Sequence, residues 1–293
     1  MILARLDNEV IFKKAFTDPF VLKAFVKDIV GIDINPDRIE TEKSFMPRMG
    51  NINFKYDIFA EDTEKRVIVE IQRVEYDHNF DRFLHYHLQG ITEQQRSSED
   101  YTVARTVYTI VVMTAPYRAN LQTGEIVRDE VLISKMNPQN LQGFEQKIFN
   151  HELIFLNPNY RTNDTPAQYR DWLDLVYESI HHPESPHINA ANAGVMRVSD
   201  IITYDNLSPE ELEESKKEAG RRKVQAMLKE EGFSEGIERG MERGMERGKE
   251  EVQTKMIEKL LLQGAMTIEE IAAFVEVSAE YVQEIQERMS TTL

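Results

Sequence analysis

Asp57, Glu70 and Gln72 are the residues of this 293-residue chain whose types and spacing could do chemistry together. In Val67-Ile68-Val69-Glu70-Ile71-Gln72, a period of two sends Val67, Val69 and Ile71 to one face of a strand and Ile68, Glu70 and Gln72 to the other. A carboxylate at the end of so apolar a strand is costly to desolvate unless a cation or hydrogen-bond donors meet it. Asp57 belongs to the preceding strand-like stretch, Phe54 to Ala60, and a hairpin between the two stretches brings it beside Glu70. Adjacent carboxylates repel, and a hard divalent cation such as Mg²⁺ relieves the repulsion with oxygen ligands while keeping several waters. An ion held this way lowers the pKa of bound water, orients it and stabilises charge on a phosphate oxygen, which are the requirements of phosphodiester hydrolysis.

The elements that must position these groups follow from periodicity. Val10, Ile11, Phe12, Ala15 and Phe16 form a short amphipathic helix that Thr17-Asp18-Pro19 interrupts, and Phe20 to Val30 resumes helical spacing up to Gly31. Strands are expected at Ile39 to Phe45, Phe54 to Ala60 and Val67 to Gln72, with turn chemistry at Asn35-Pro36-Asp37, Met49-Gly50-Asn51 and Glu61 to Glu64. Phe80, Phe83, Leu84, Leu88 and Ile91 keep offsets of three and four, the mark of a helix packed along one apolar face. Val107 to Met113 reads as a strand buried on both faces, Ile148 to Leu156 contains another, and Ala167 to Ile180 is a helix. The order of elements is that of an α/β domain with a mixed sheet.

After Tyr204 the texture changes, which divides the chain into residues 1–204, a charged helical stretch 205–251 and a small helical unit 252–293. Ser208-Pro209-Glu210-Glu211 opens a long helix with a cap, an N1 proline and first-turn acids. Glycines 236, 240, 244 and 248 recur with a period of four, at a cost in a helix of roughly 1 kcal/mol each. They fit either a loose linker or a stripe on which another helix closes, as in a homo-oligomer built through residues 205–293. Thr267-Ile-Glu-Glu270 is a capping box and Ser278 caps a last helix, a layout that imitates a helix-turn-helix. Glu280, Glu284 and Glu287 against Arg288 make that last helix repulsive to a phosphate backbone.

The net charge is −16, with 22 basic and 30 acidic residues in 1–204 and 13 and 21 in 205–293. Neither half is a basic module, so binding to DNA is expected to be weak and non-specific. The chain has no cysteine, which excludes disulfides and thiolate metal sites. No apolar run approaches the ~20 residues of a membrane helix, and the expectation is a cytoplasmic protein with no membrane partner. His85 and His87 are two apart on a helix and do not face one another, while His181, His182 and His187 fall among prolines in a loop, so neither group reads as a metal site.

Asp57 followed thirteen residues later by Glu70-Ile71-Gln72 resembles the D…(D/E)XK signature with Gln in place of the terminal Lys. Asn8-Glu9 through Phe16, Asp81-Arg82 and Tyr86, the stretch His151 to Asn157 and the Gly-Met-Glu-Arg repeats extend the likeness over nearly the whole chain. It is similar to the Rpn-type recombination-promoting nucleases, the PD-(D/E)XK nuclease family transposases. The resemblance implies a restriction-endonuclease-like α/β core, a mixed central sheet flanked by helices, with an all-helical C-terminal extension. It implies a Mg²⁺-dependent endodeoxyribonuclease, with Mn²⁺ or Ca²⁺ as substitutes, active in recombination or transposition with little sequence preference. Asp57, Glu70 and the backbone carbonyl of Ile71 would hold the metal, Gln72 would orient the attacking water, and Glu9 is a candidate to complete the site. Gln72 cannot supply the positive charge of the usual Lys, and Arg82 or Lys13 are the candidate replacements, with Lys13, Tyr86 and Arg73 as substrate contacts. The alternative is a nuclease-fold scaffold without strong catalysis that acts in interaction or oligomerisation, which the acidic surface and the missing Lys favour.

Overall fold

The structure, a computed structural model, describes residues 1–45, 54–72, 80–95, 102–117 and 124–291, and across most of residues 222–250 the backbone alone. The chain divides into two compact units, Met1–Ala219 and Gly220–Leu293.

The first unit opens with two helices, α1 (Glu9–Phe16) and α2 (Pro19–Val30). Each begins where a side chain accepts the orphan N–H groups of a first turn: Asn8 for α1 and Asp18 for α2. Gly31 ends α2 at φ 78°, a left-handed conformation that a residue without Cβ adopts freely. Three antiparallel strands follow, β1 (Ile39–Phe45), β2 (Phe54–Glu61) and β3 (Lys65–Gln72). The turn between β2 and β3 is tied by Asp62, whose carboxylate accepts the N–H groups of Glu64 and Lys65. After α3 (Phe80–Thr92), strand β4 (Thr106–Met113) lies parallel to β3, and β6 (Glu152–Leu156) lies parallel to β4. Strand β5 (Val131–Lys135) pairs antiparallel with β6 at the edge, giving the order β1-β2-β3-β4-β6-β5. The mixed sheet was legible from the order of elements; β5 was not, because its side chains are largely exposed and carry no alternation.

One face of the sheet packs on α1, α2, α4 (Ala167–His181) and α5 (Ala193–Ile202). There Ile58, Val67, Val69, Ile110 and Ile154 meet Phe12, Phe16, Phe25, Trp172 and Val198 in one core. The other face meets α3, through Phe83 against Val111 and Phe155 and through Tyr86 against Tyr56, Phe59, Ile68 and Val107. The spacing of apolar residues in α3 predicts that Leu84 and Leu88 are covered, but Phe83, Tyr86, His87 and Gly90 are the buried positions, while Phe80, Leu84 and Leu88 are exposed. The sheet takes the face on which Gly90 lets it approach: a Cβ there would stand 2.8 Å from Ile68 Cδ1.

Helix α6 (Pro209–Gln263) starts with a reciprocal cap, Ser208 Oγ accepting from the Glu211 N–H while the Glu211 carboxylate accepts from the Ser208 N–H. The period-four glycines fall within α6, and the side chains around Gly236, Gly240 and Gly244 lie outside the described residues. In the second unit the end of α6 packs with α7 (Ile268–Val275) and α8 (Ala279–Thr291) around Ile257, Ile271, Val275, Val282 and Ile285. Thr267 and Glu270 form the capping box that the sequence announces, and Ser278 Oγ accepts from the Tyr281 N–H. Among the described residues no helix is long and apolar enough to cross a membrane.

Candidate active site

Strands β2 and β3 stop pairing regularly after Ile58↔Val69, the register pair next to Asp57 and Glu70. From there the two carboxylates take over the backbone bonding. The Asp57 N–H donates to Glu70 Oε1 at 3.0 Å, and the Ile71 N–H donates to Asp57 Oδ2 at 3.0 Å. Each acid is thereby held by the other's strand, and the two are brought side by side. The same point disturbs the other side of β2: Thr41↔Ile58 and Lys43↔Tyr56 pair, the pair between them does not, and Glu42 has φ 55°. Tyr56 and Phe59 share one apolar cluster although strict alternation would part them, so β2 turns over at Asp57.

Glu70 is 2 % exposed. Burial and the neighbouring Asp57 charge push its carboxyl well above the usual carboxylate range, against the opposing pull of the Asp57 N–H, Arg82 and Lys13. A buried acid beside a like charge gains nothing for the fold from that neighbour. Gln72 ends β3 on Glu70's face, two residues on, its backbone fixed by the Thr114 N–H and hydroxyl on its carbonyl (2.9 and 3.1 Å).

Two helices complete the corner. From α1, Glu9 and Lys13 share a face one turn apart, and Lys13 Nζ donates to Glu9 Oε1 (2.5 Å) and to Glu42, and lies 3.8 Å from Asp57 Oδ1. Burial opposes the charge on Lys13, but bonding to Glu42 and Glu9 outweighs it and raises its pKa. From α3, Arg82 donates to the Tyr86 hydroxyl from Nε and Nη2 (3.2 and 3.0 Å), and its charge also acts on Glu70 and Asp57. Tyr86 is buried rather than half-solvated, with the Tyr56 hydroxyl donating to its carbonyl at 3.1 Å.

The structure thus joins Asp57, Glu9 and Lys13 directly, ties Glu70 to Asp57 through the Asp57 N–H, sets the Arg82–Tyr86 pair where its charge acts on both acids, and leaves Gln72 on Glu70's face of β3; Arg73 lies outside the described residues. Sequence reasoning missed Glu42. Nearest carboxylate oxygens of Glu9, Glu42 and Asp57 lie within 4.8 Å of one another, the group of potential metal ligands found among the described residues. A signal for Glu42 did exist: Met49-Gly50, read in the sequence as turn chemistry, stands midway between residues 42 and 57, so a hairpin expected there sets them opposite each other, in step with the observed pairs Thr41↔Ile58 and Lys43↔Tyr56.

The donor set is oxygen only, with no thiolate and no imidazole, and it suits a hard cation such as Mg²⁺, Mn²⁺ or Ca²⁺. An ammonium already stands among the same oxygens, so the place attracts positive charge. Of the comparisons with known proteins, a family model described as PD-(D/E)XK nuclease family transposase matches residues 25–231. No curated protein and no solved structure gives a match. The matched span runs from the second half of α2 to the first part of α6 and contains the sheet, α3, Asp57, Glu70 and Gln72, while α1 with Glu9 and Lys13 lies before it.

Proposed function

Because the chain belongs to the PD-(D/E)XK nuclease family transposases, with that family's mixed sheet flanked by helices, we propose that it is a divalent-metal-dependent DNA endonuclease of low sequence preference. The observation that carries the reading is the reciprocal locking of Asp57 and Glu70, which holds a buried carboxylate against a like charge where the strands part.

Asp57, Glu70 and Glu9 would hold the ion, with the Ile71 carbonyl as the further oxygen that the family signature suggests. A divalent ion there supplies Lewis acidity toward a phosphate oxygen and lowers the pKa of a bound water. Gln72 would accept a hydrogen bond from the attacking water and aim it at phosphorus; the water's oxygen forms the new P–O bond as it gives up a proton to solvent, and the sugar oxygen leaves with the electrons of the broken P–O bond and takes a proton from solvent. Arg82, fixed by the Tyr86 hydroxyl, offers its remaining N–H groups to the phosphate, a planar donor suited to that anion. Net charge −16 keeps general affinity for DNA low, so binding relies on these local cations. Association of the chain through residues 205–293 belongs to the same proposal, and sedimentation of a chain ending before Gly236 tests it.

The test of catalysis is nicking of supercoiled plasmid with Mg²⁺, Mn²⁺ and Ca²⁺ in turn. Asp57→Ala and Glu70→Gln are expected to lower the metal-dependent rate by about 100-fold or more. Variants that cut as fast as the parent would remove the assignment. A second reading, a scaffold without catalysis, draws on the Lys13 ammonium already bound among the carboxylates. It requires a parent protein that takes up no divalent ion.

A further inference from the structure

Glu9, Glu42 and Asp57 come from a helix and two strands and converge on one ammonium. Only 15 % of the Lys13 side chain is exposed, although a lysine on a helix ordinarily keeps its head in water. Three carboxylates meet this one ammonium, so the place is built to hold positive charge. Spacing agrees with exchange. Oxygens on one Mg²⁺ at ~2.1 Å stand ~3 Å apart when adjacent and ~4.2 Å apart when opposite. The carboxylate oxygens around Lys13 lie within 4.8 Å of one another, so small movements suffice. A divalent ion and an ammonium cannot share that space, because they repel at close range.

Glu42 differs from the other two acids. It lies on the edge strand, its side chain is 47 % exposed, and its backbone is left-handed where the ladder with β2 is interrupted. A non-glycine residue persists in that conformation only when its surroundings hold it there. Here the holding group is Lys13 on one oxygen, with Lys55 at 3.4 Å from the other.

We propose that Lys13 is the resident counter-ion of the metal-free centre, that an entering divalent ion displaces it from Glu9 and Asp57, and that Glu42 retains it at the rim. The ion then takes the place of Lys13 at Glu9 and Asp57, and Lys13 keeps Glu42 as its partner. Metal uptake is a cation exchange, opposed by Lys13 and eased by Glu42, and it leaves an ammonium beside the centre where Gln72 provides no charge. The inference rests on the metal-binding reading above and adds to it an order of events and a role for Glu42.

The test is calorimetric titration of the full-length protein with Mn²⁺ and with Ca²⁺ alone. Lys13→Met is expected to bind about tenfold more tightly than the parent, because the ammonium that occupies those oxygens is gone. Glu42→Gln is expected to bind about tenfold more weakly, and that loss should vanish when Lys13→Met is already present, a non-additivity that a simple metal ligand would not show. Thermal unfolding supplies a second readout: Lys13→Met should be less stable than the parent without metal and should regain the difference at saturating Mn²⁺. Lys13→Gln, which keeps hydrogen bonding without charge, stands in if the Met variant does not fold. Should the parent bind the ion while Lys13→Met binds no more tightly, the counter-ion role is overturned and the metal site survives. Should neither bind, both fall. A Glu42→Gln effect of equal size in both backgrounds would make Glu42 a ligand and overturn its role as acceptor.

Discussion

Arg66 and Glu70 lie four residues apart on the same face of β3, and both are almost sealed from solvent, at 4 and 2 % exposure. Their surroundings are opposite in kind. Arg66 donates to Glu61 (3.0 and 2.7 Å), to Glu93 (2.8 Å) and to the Gly90 carbonyl (2.8 Å), and its guanidinium lies over the rings of Phe45 and Phe59. Opposite charges, an acceptor from α3 and aromatic faces compensate the cost of its burial. Glu70 accepts one backbone N–H from Asp57 and has that residue's carboxylate as its neighbour, and the charges of Arg82 and Lys13 do not make up for burial and that repulsion. A buried charge surrounded by partners is part of the fold; one buried beside its own sign is held in place by the fold for another purpose.

That contrast can be broken by mutation. Arg66→Met should cost about 3 to 5 kcal/mol in urea unfolding, because it removes the charged bonds to Glu61 and Glu93 and leaves the Gly90 carbonyl to Gln94 Nε2 alone. A loss below about 1 kcal/mol would mean that the network around Arg66 is not structural.

Acid offers a comparison of opposite signs. His87, fully buried against Thr109 and near His151, has its pKa lowered to about 4 by burial and then by His151. Its folded value lies below the ordinary one, so the unfolded chain takes up the proton first as the pH falls. Stability from neutral His87 is complete above about pH 6.5 and is lost between there and about pH 4, by up to about 3 kcal/mol. Glu70 works the other way in the metal-free protein, since a raised folded pKa makes the native state the first to bind its proton. Urea unfolding at pH 7 and pH 4.5 should show the parent losing more stability than His87→Gln, and an identical loss would refute the assignment to His87.

The smallest effect concerns the rim. Tyr86→Phe removes the hydroxyl that holds Arg82 and should slow metal-dependent nicking about tenfold, some 1.4 kcal/mol, with stability changed by about 1 kcal/mol or less. An unchanged rate would show that Arg82 is positioned without it.

Much of this corner could be read from residues alone, for identifiable reasons. Alternation in β3 puts Glu70 and Gln72 on one face, and the short turn at Asp62 brings β2 back alongside it, because both signals are local. The caps at Ser208, Thr267 and Ser278 are local as well. Edge strand β5 escaped because its pattern is weak, and Glu42 because its place depends on a hairpin register and a left-handed backbone; helix α5 did carry a signal, the Asn192 cap with Val195, Val198 and Ile202 at helical spacing. The covered face of α3 was misjudged because apolar spacing marks a helix but not which side a sheet will take. There, Gly90 and the donor Arg66 decide.

The most direct measurement is made on Glu70→Gln without added metal at neutral pH, with urea unfolding and plasmid nicking recorded on the same preparation. The expected result is stability equal to the parent or higher by about 1 kcal/mol, from the removal of a like-charge contact, together with a loss of metal-dependent nicking of about 100-fold or more once metal is added. A fall in stability like that expected for Arg66→Met, with nicking retained, would contradict the account and make Glu70 a structural acid.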